Sequence, residues 1–256
     1  RVILGLSKLK IFGFGPRPQD FLACNAPIKP LFDIGVEIME NSELDLFESF
    51  NLHANDPRIP LVVKDMEEEL GGGNKLPGIL PKLAQYEITL LDWMEKYIGA
   101  SEFAVFANKC WPAFQTQFGF VPCYVNSRLA SRGIPVSCEV DIYGALSEYI
   151  IACATGIPAT LLDINNTVPK DMYENNRDKF GDYKLTDLFM GFHCGNTPNC
   201  YLKDGTLKYQ LIMHRLLEPD KEPDITRGTL EGTIKPGDIT IFRLQGTADC
   251  RLRSYV

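Results

Sequence analysis

Three polar residues of this chain each come directly after an apolar run, the place from which side chains reach a ligand when the run is a strand of a parallel sheet. Glu139 follows IPVSC, Asp163 follows ATLL and His193 follows LFMGF, at intervals of 24 and 30 residues. Two carboxylates and an imidazole suit a hard or borderline divalent ion such as Mg²⁺ or Mn²⁺, and the imidazole favours Mn²⁺. The pattern therefore predicts a divalent-metal site formed by Glu139, Asp163 and His193.

The same residues also have ordinary structural explanations. A carboxylate after a strand is often the N-cap of the next helix, so Glu139 or Asp141 could act only as a cap. Asp163 could cap the turn DINNT, and His193 could be a hydrogen-bonded histidine of the core. Position in the sequence does not decide between one ligand set and three unrelated roles.

Two other kinds of site use the cysteine beside His193. His193, Cys194 and Cys200 are possible zinc ligands, but the cysteine spacing is unusual for a zinc site and no fourth ligand is evident. This zinc site predicts that the sulfurs of Cys194 and Cys200 lie close together. Cys194 is also a possible nucleophile with His193 as its base, although adjacent residues of a strand point to opposite faces.

Alternating strand and helix patterns over residues 1–156 predict the elements that position these side chains. The runs KIFGF, VEIM, FAVFAN and IPVSC are typical of short buried strands. Helices are predicted between them, with a capping box at Ser42, an N-cap at Asp56, and a last helix from Asp141 to Gly156. Strands that alternate with helices predict an α/β fold with a Rossmann-like parallel sheet covered on both faces.

The pattern changes after Gly156. The runs LTDLFMGF, LKYQLIMH, GTLEGTI and DITIFRLQ are typical of strands and are joined by turn signals such as KPGD. We therefore expect a mostly antiparallel β domain over residues 157–256. Both ends of the chain have the character of interrupted strands rather than of loose polar termini, which predicts a piece of a longer protein.

The composition narrows the class of protein. A net charge of −7 over 256 residues, with no basic run, argues against nucleic acid as a partner. No apolar stretch approaches the roughly 20 residues that span a bilayer, which argues against a membrane. Eight scattered cysteines without a CxxC pair predict reduced thiols and a cytoplasmic location.

Three long segments carry a resemblance to a known family. They are GPRPQDFLACNAPIKPLFDIGVEI, CWPAFQTQFGFVPCYVNSRLASRGIPVSCEVDIYGALSEYI and GTLEGTIKPGDITIFRLQGTADCRLRSY. They resemble the L-fucose isomerase and L-arabinose isomerase family, and most closely its branch of fucose isomerase-like proteins. The resemblance covers nearly the whole chain, and its most specific motif is the glutamate that follows a strand in GIPVSCEVDIYGA.

The resemblance implies a metal-dependent aldose–ketose isomerase, an intramolecular oxidoreductase that acts on a monosaccharide through an enediol and binds Mn²⁺ or another divalent cation such as Mg²⁺. Glu139 and Asp163 match the two acids that ligate the metal and transfer protons, and His193 matches the first histidine of the arabinose-type pattern. The family's late histidine motif has no counterpart before Val256, so one metal ligand is expected to be missing and the fragment could be inactive.

The resemblance also assigns the two parts of the chain. Residues 1–156 correspond to the α/β middle domain and residues 157–256 to a truncated, mostly β C-terminal domain, with the N-terminal domain missing. The full-length proteins are expected to be homo-oligomers, trimers or hexamers. Trp111 is a candidate apolar wall for one face of the sugar, or an ordinary core tryptophan.

A different class of function is a non-catalytic sugar-binding or regulatory protein on the same scaffold. The isomerase requires the carboxylates of Glu139 and Asp163 to approach within roughly 5 Å of each other, because both must reach one ion. A binding protein has no such requirement.

Overall fold

The computed structural model describes residues 1–18 and 20–256 and has a four-stranded parallel sheet at its centre. The sheet has the order β2-β1-β3-β4, and every neighbouring pair is parallel. All six residues of β1 are buried, as expected of a strand covered on both faces. The predicted α/β class with a Rossmann-like sheet is therefore confirmed. The strands are β1 (Leu9–Phe14), β2 (Glu37–Asn41), β3 (Phe103–Ala107) and β4 (Val136–Ser137).

Helices cover both faces of this sheet and form two hydrophobic cores. Successive side chains of a strand point to opposite faces, so Phe12 and Phe14 enter one core while Leu9 and Ile11 enter the other. The first core packs against α3, α4, α5 and α7, and the second against α2 and α8. The helices of residues 1–156 are α1 (Val2–Leu6), α2 (Lys29–Asp33), α3 (Glu43–Leu52), α4 (Ile59–Leu70), α5 (Leu80–Tyr97), α6 (Phe114–Phe118), α7 (Cys123–Ser131) and α8 (Ile142–Thr155).

Capping residues in the sequence predicted most of these helix ends correctly. Ser42 and Asp45 form the predicted capping box of α3, and Asp141 caps α8, which ends at the left-handed Gly156. The predicted N-cap of α4 was wrong, because α4 begins two residues later, after Arg58. The Asp56 carboxylate instead accepts from the Arg58 backbone N–H at 2.8 Å and pairs with its guanidinium.

Residues 157–256 contain three separate antiparallel strand pairs, which confirms the predicted antiparallel character. LKYQLIMH was predicted as one strand, but its second half is helix α10, because a short apolar run is compatible with either element. Only the ends of LTDLFMGF and DITIFRLQ are strands. The pairs are β5 (Asp163–Asn165) with β6 (Met190–Phe192), β7 (Leu202–Tyr209) with β8 (Arg227–Ile234), and β9 (Arg243–Gly246) with β10 (Leu252–Tyr255); the helices are α9 (Lys170–Asn175) and α10 (Leu211–Leu217).

Residues 157–256 pack against residues 1–156. The Val121 N–H donates to the Arg227 carbonyl at 2.7 Å, and the Leu244 N–H on β9 donates to Ser147 Oγ of α8 at 3.0 Å. A domain boundary near Gly156 stays a prediction. Across the described parts of the chain, every helix is too short or too polar to cross a bilayer.

Candidate active site

The turn after β4 carries Glu139 in an unusual backbone conformation. Glu139 and Val140 have φ angles of 56° and 50°, in the left-handed region. For residues other than glycine, and above all for β-branched valine, this conformation costs roughly 1–3 kcal/mol per residue and persists only where the surroundings impose it. Such strain is concentrated at functional sites, so the turn is the first candidate for chemistry.

Hydrogen bonds on both sides hold this turn. The Val140 N–H donates to the Asn108 carbonyl at 2.7 Å, and Ser137 Oγ donates to the Asp141 carbonyl at 2.7 Å. The Asp141 carboxylate accepts from the Gly144 N–H at 2.8 Å, which makes Asp141 the N-cap of α8. The capping role considered for Glu139 therefore belongs to Asp141.

The loop that carries His193 is tied to two strands. Asn196 Nδ2 donates to the Val136 carbonyl of β4 at 2.9 Å, and Thr229 Oγ1 of β8 donates to the Cys194 carbonyl at 2.6 Å. Gly195, at φ 121°, allows this approach, because a Cβ there would lie 2.0 Å from Thr229 Oγ1. The loop thus brings His193 to the carboxyl end of the parallel sheet.

The structure brings Glu139 and His193 together. Glu139 Oε2 lies 3.9 Å from His193 Nε2, and the His193 side chain is only 2% exposed. Cys138 Sγ belongs to the same group, in which one ligand atom of each residue lies within 4.8 Å of the others. Sequence reasoning missed Cys138, although its position next to Glu139 in a strand-end motif was a visible signal.

Asp163 lies on the strand that pairs with the one leading to His193. It begins β5 and is paired with Phe192, the residue before His193, and it is itself exposed. Asp163 is not among the residues whose ligand atoms lie within 4.8 Å of one another, yet its charge acts on the pKa values of Glu139 and His193. The close approach of the Glu139 and Asp163 carboxylates stays a prediction.

Burial controls the charge state of the site. Burial, followed by the charges of Cys194, Asp163 and Asp141, raises the pKa of Glu139 to about 8. The carboxyl group of Asp163 is partly shielded from water although the residue as a whole is exposed, and this desolvation raises its pKa against the effect of His193. For His193, burial acts against the imidazolium, but Cys194 and Asp163 outweigh it and the pKa is raised.

Another buried carboxyl group, besides those of Glu139, Asp141 and Asp163, belongs to helix α8. Glu148 of α8 is 4% exposed, its Oε2 has no hydrogen-bond partner among the described residues, and burial raises its pKa to about 8. The Asp141 charge raises that pKa further, and the Leu161 N–H and the Arg243 guanidinium oppose the shift. The charges of Asp141 and Asp163 therefore act on Glu139, that of Asp141 acts on Glu148, and that of Asp163 acts on His193.

The donor set fits a divalent cation. Carboxylate oxygens and an imidazole nitrogen are ligands of Mn²⁺, and a cation would stabilise the charged carboxylates, which burial and the neighbouring negative charges disfavour. The sulfur of Cys138 adds a donor of the kind that zinc prefers. The group of ligand atoms is thus compatible with Mn²⁺, and the Cys138 sulfur makes it compatible with Zn²⁺ as well.

Cys194 was considered both as a zinc ligand with Cys200 and as a nucleophile with His193 as its base. Cys200 is exposed in a short 3₁₀ helix (Asn199–Tyr201) directly before β7, and the close ligand groups of the described chain do not pair it with Cys194, so this zinc set lacks support. His193 Nδ1 and Cys194 Sγ lie 3.8 Å apart. The objection that adjacent strand residues point to opposite faces does not apply to this pair, because both residues follow β6 and Cys194 lies in a bend.

Three other features are formed by residues outside the group of Cys138, Glu139 and His193. Trp111 is half-buried with its ring centroid 6.2 Å from that of Phe21, and its role in sugar binding stays a prediction. A cavity of about 470 Å³ at the ends of β1 and β2 is lined by other residues. His53, Asp56 and Asp92 form a second close ligand group, but the Arg58 guanidinium already bonds both carboxylates.

The curated proteins to which this chain is similar are sulfoquinovose isomerases. No family model matches the chain. The sulfoquinovose isomerase of Priestia megaterium (strain ATCC 12872 / QMB1551) is 27% identical over 256 residues, covering 97% of this chain and 50% of that protein. Those of Clostridium sp. (strain MSTE9) and Alkalicoccus urumqiensis are 26% and 23% identical and cover 98% and 95% of this chain.

The chain spans about half the length of the curated relatives that it matches. All of these relatives are sugar isomerases by name, and the alignment runs through nearly all of this chain. The expected resemblance is therefore confirmed at the level of sugar isomerases, and not at the level of L-fucose or L-arabinose isomerase.

Proposed function

We propose that this chain carries the acid–base and metal-binding part of an aldose–ketose isomerase. The observation that carries the proposal is the buried Glu139, held on a strained turn 3.9 Å from His193 at the carboxyl end of a parallel sheet. The similarity to sulfoquinovose isomerases over 95–98% of the chain supports the same reaction class.

The chemistry needs a base and an acid beside two adjacent carbons. Isomerisation moves one proton between C1 and C2 and a second between their oxygens, through a cis-enediol. Glu139 and Asp163 are the proposed proton carriers. With a pKa of about 8, Glu139 is poised to hold and release a proton near neutral pH, as an acid–base catalyst must.

Glu139, Asp163 and His193 would also hold a divalent cation, with Mn²⁺ as the first candidate and Mg²⁺ as another. When bound, such an ion polarises the two sugar oxygens and stabilises the negative charge that develops on them. The strained turn and the tied His193 loop fix two of these groups before any ligand arrives, which limits the reorganisation that binding requires.

The names of the relatives indicate the class of substrate. The relatives are named for sulfoquinovose, an aldose that carries a sulfonate, so we place a sulfonated aldose first and L-fucose and L-arabinose second. Each of these sugars would isomerise between C1 and C2, so each requires an acid–base pair beside these two carbons.

The test is ketose formation from sulfoquinovose, L-fucose and L-arabinose, with and without Mn²⁺. It is measured on this chain and on a longer form that covers the length of its relatives. We expect metal-dependent turnover of at least one sugar, reduced 10²-fold or more in Glu139→Gln but not in Glu67→Gln, an exposed acid of α4. Sugar binding without turnover in both forms would instead indicate a non-catalytic sugar-binding protein.

A further inference from the structure

The strained turn at Glu139 is linked to a strand about a hundred residues further along the chain. Arg243, the first residue of β9, donates through Nη1 to Asp141 Oδ2 at 2.5 Å and through Nη2 to Asp141 Oδ1 at 2.9 Å. The two side chains are 25% and 7% exposed. A two-point pair of this kind fixes direction as well as distance, because the guanidinium and the carboxylate are both planar.

Asp141 is well placed to control the turn. The Asp141 N–H donates to the Cys138 carbonyl at 3.0 Å, so the residues between them, Glu139 and Val140, are enclosed in a tight loop. Both enclosed residues have positive φ. Rotation of Asp141 away from its partners would let them relax to ordinary backbone angles, and the Glu139 side chain would then change direction.

Arg243 is itself anchored on its own side. Its Nε and Nη2 donate to Gln245 Oε1 at 2.9 and 2.6 Å, and Gln245 Nε2 donates to the Ala23 carbonyl at 2.9 Å. The Leu244 N–H is bonded to Ser147 of α8. The guanidinium is therefore held by Gln245 as well as by Asp141, and the strand that carries it is bonded to α8, so it is not free to follow a moving Asp141.

We propose that Arg243 is a positioning residue for Glu139: through Asp141 it keeps the turn at Glu139 and Val140 in its left-handed conformation and so aims the Glu139 carboxylate at His193. The consequence for catalysis rests on the proposed isomerase function, whereas the effect on the turn does not. An ion pair that only joined two parts of the chain would stabilise them without controlling the local conformation of this turn.

The first test measures the turn directly, by native-state amide hydrogen exchange on the full chain. In Arg243→Ala we expect the Val140 and Asp141 amides to exchange at least tenfold faster while the amides of β1 are unchanged. Arg253→Ala, at an exposed position of the partner strand β10, is the matched control and should change neither. Unchanged exchange at Val140, or equal acceleration throughout the sheet, would overturn the proposal.

The second test separates positioning from simple stability. In the form of the protein that turns over an aldose, Arg243→Lys and Arg243→Ala should lower kcat about 10–100-fold and leave KM within about threefold, because supporting residues of a metal site act on this scale. Guanidinium ion at millimolar concentration should restore part of the activity of Arg243→Ala. Unchanged kcat together with faster exchange at Val140 would remove the catalytic part of the proposal.

A third variant covers the case in which loss of Arg243 prevents folding. Asp141→Asn keeps the N-cap of α8, because asparagine caps as well as aspartate, but removes the charge that Arg243 binds. It should show the same accelerated exchange at Val140, without rescue by guanidinium. If the wild type isomerises no sugar, the isomerase proposal fails, and the exchange data alone decide whether Arg243 positions the turn.

Discussion

At the scale of single residues, the site depends on positions where the backbone angles are strained or where there is no room for a larger side chain. Glu139 and Val140 carry the strain, and Gly195 permits the close contact that brings the His193 loop onto β8. These are the positions where substitution should act most sharply.

Gly195→Ala should displace the His193 loop. The new Cβ would lie 2.0 Å from Thr229 Oγ1, at a φ of 121°, so the loop must move. We expect a loss of about 2 kcal/mol or more in urea unfolding. Gly133→Ala is the control, since Gly133 also has positive φ but has open space around its Cα, and about 1 kcal/mol is expected there. Equal losses in the two variants would mean that the contact with Thr229 is not tight.

Glu148 should make the stability of the protein fall with rising pH. Its pKa is raised by burial from 4.5 to about 8, so the folded state holds a proton that the unfolded state releases. This contribution is fully present below about pH 4.5 and is lost as the pH rises through about 8. The free energy of unfolding should therefore fall between pH 5 and 8 by more in the wild type than in Glu148→Gln.

Urea unfolding across that pH range, in the presence of a chelator, gives the difference between the two proteins. Glu95→Gln, at an exposed position of α5, is the control and should run parallel to the wild type. A difference between wild type and Glu148→Gln that stays constant from pH 5 to 8 would show that Glu148 is not protonated in the folded protein.

At the scale of elements, short buried strands and helix caps were readable from the sequence. The apolar runs located β1 to β4, and Asp141 with Gly156 gave both ends of α8, because these signals are local. The run LKYQLIMH was misassigned, since its length fits either element. The candidate site was predicted in part: its residue types were visible at strand ends, whereas the approach of Cys138 and the anchoring by Arg243 depend on contacts between distant segments.

Helix α7 offers a test of how the elements are joined. Arg128, fully buried on α7, is paired with Glu87 of α5 and with Glu69 and Asp65 of α4. Arg128→Met should destabilise by about 3–5 kcal/mol, because it leaves the buried Glu87 with only the more distant guanidinium of Arg132, at 3.7 Å. The double variant Arg128→Met/Glu87→Leu should recover a large part of this loss in urea unfolding.

Arg132→Met is the comparison for the same network. The Arg132 side chain is 44% exposed, so its loss should change the free energy of unfolding by less than about 1 kcal/mol. If the double variant is as unstable as Arg128→Met alone, the cost comes from lost packing of the arginine stem rather than from an unpaired carboxylate.

At the scale of the whole molecule, the candidate site joins the two parts of the chain. Glu139 belongs to the parallel sheet, while Asp163 and His193 belong to the segment of antiparallel pairs. An ion held by all three would stabilise the contact between the parts, because binding to the folded state alone adds free energy that grows with ligand concentration. At a hundredfold excess over Kd this amounts to about 2.7 kcal/mol.

Mn²⁺ should therefore raise the Tm of the protein, and EDTA should reverse the effect. The increase should be absent in Glu139→Gln and in His193→Gln, and should persist in His214→Gln, whose imidazole bonds a backbone carbonyl beside α10. Loss of the increase in His53→Gln, with Glu139→Gln unaffected, would place the ion at the group of His53, Asp56 and Asp92. If Zn²⁺ raises the Tm more than Mn²⁺ and Cys138→Ser removes only the zinc effect, the Cys138 thiol sets the metal preference of the site.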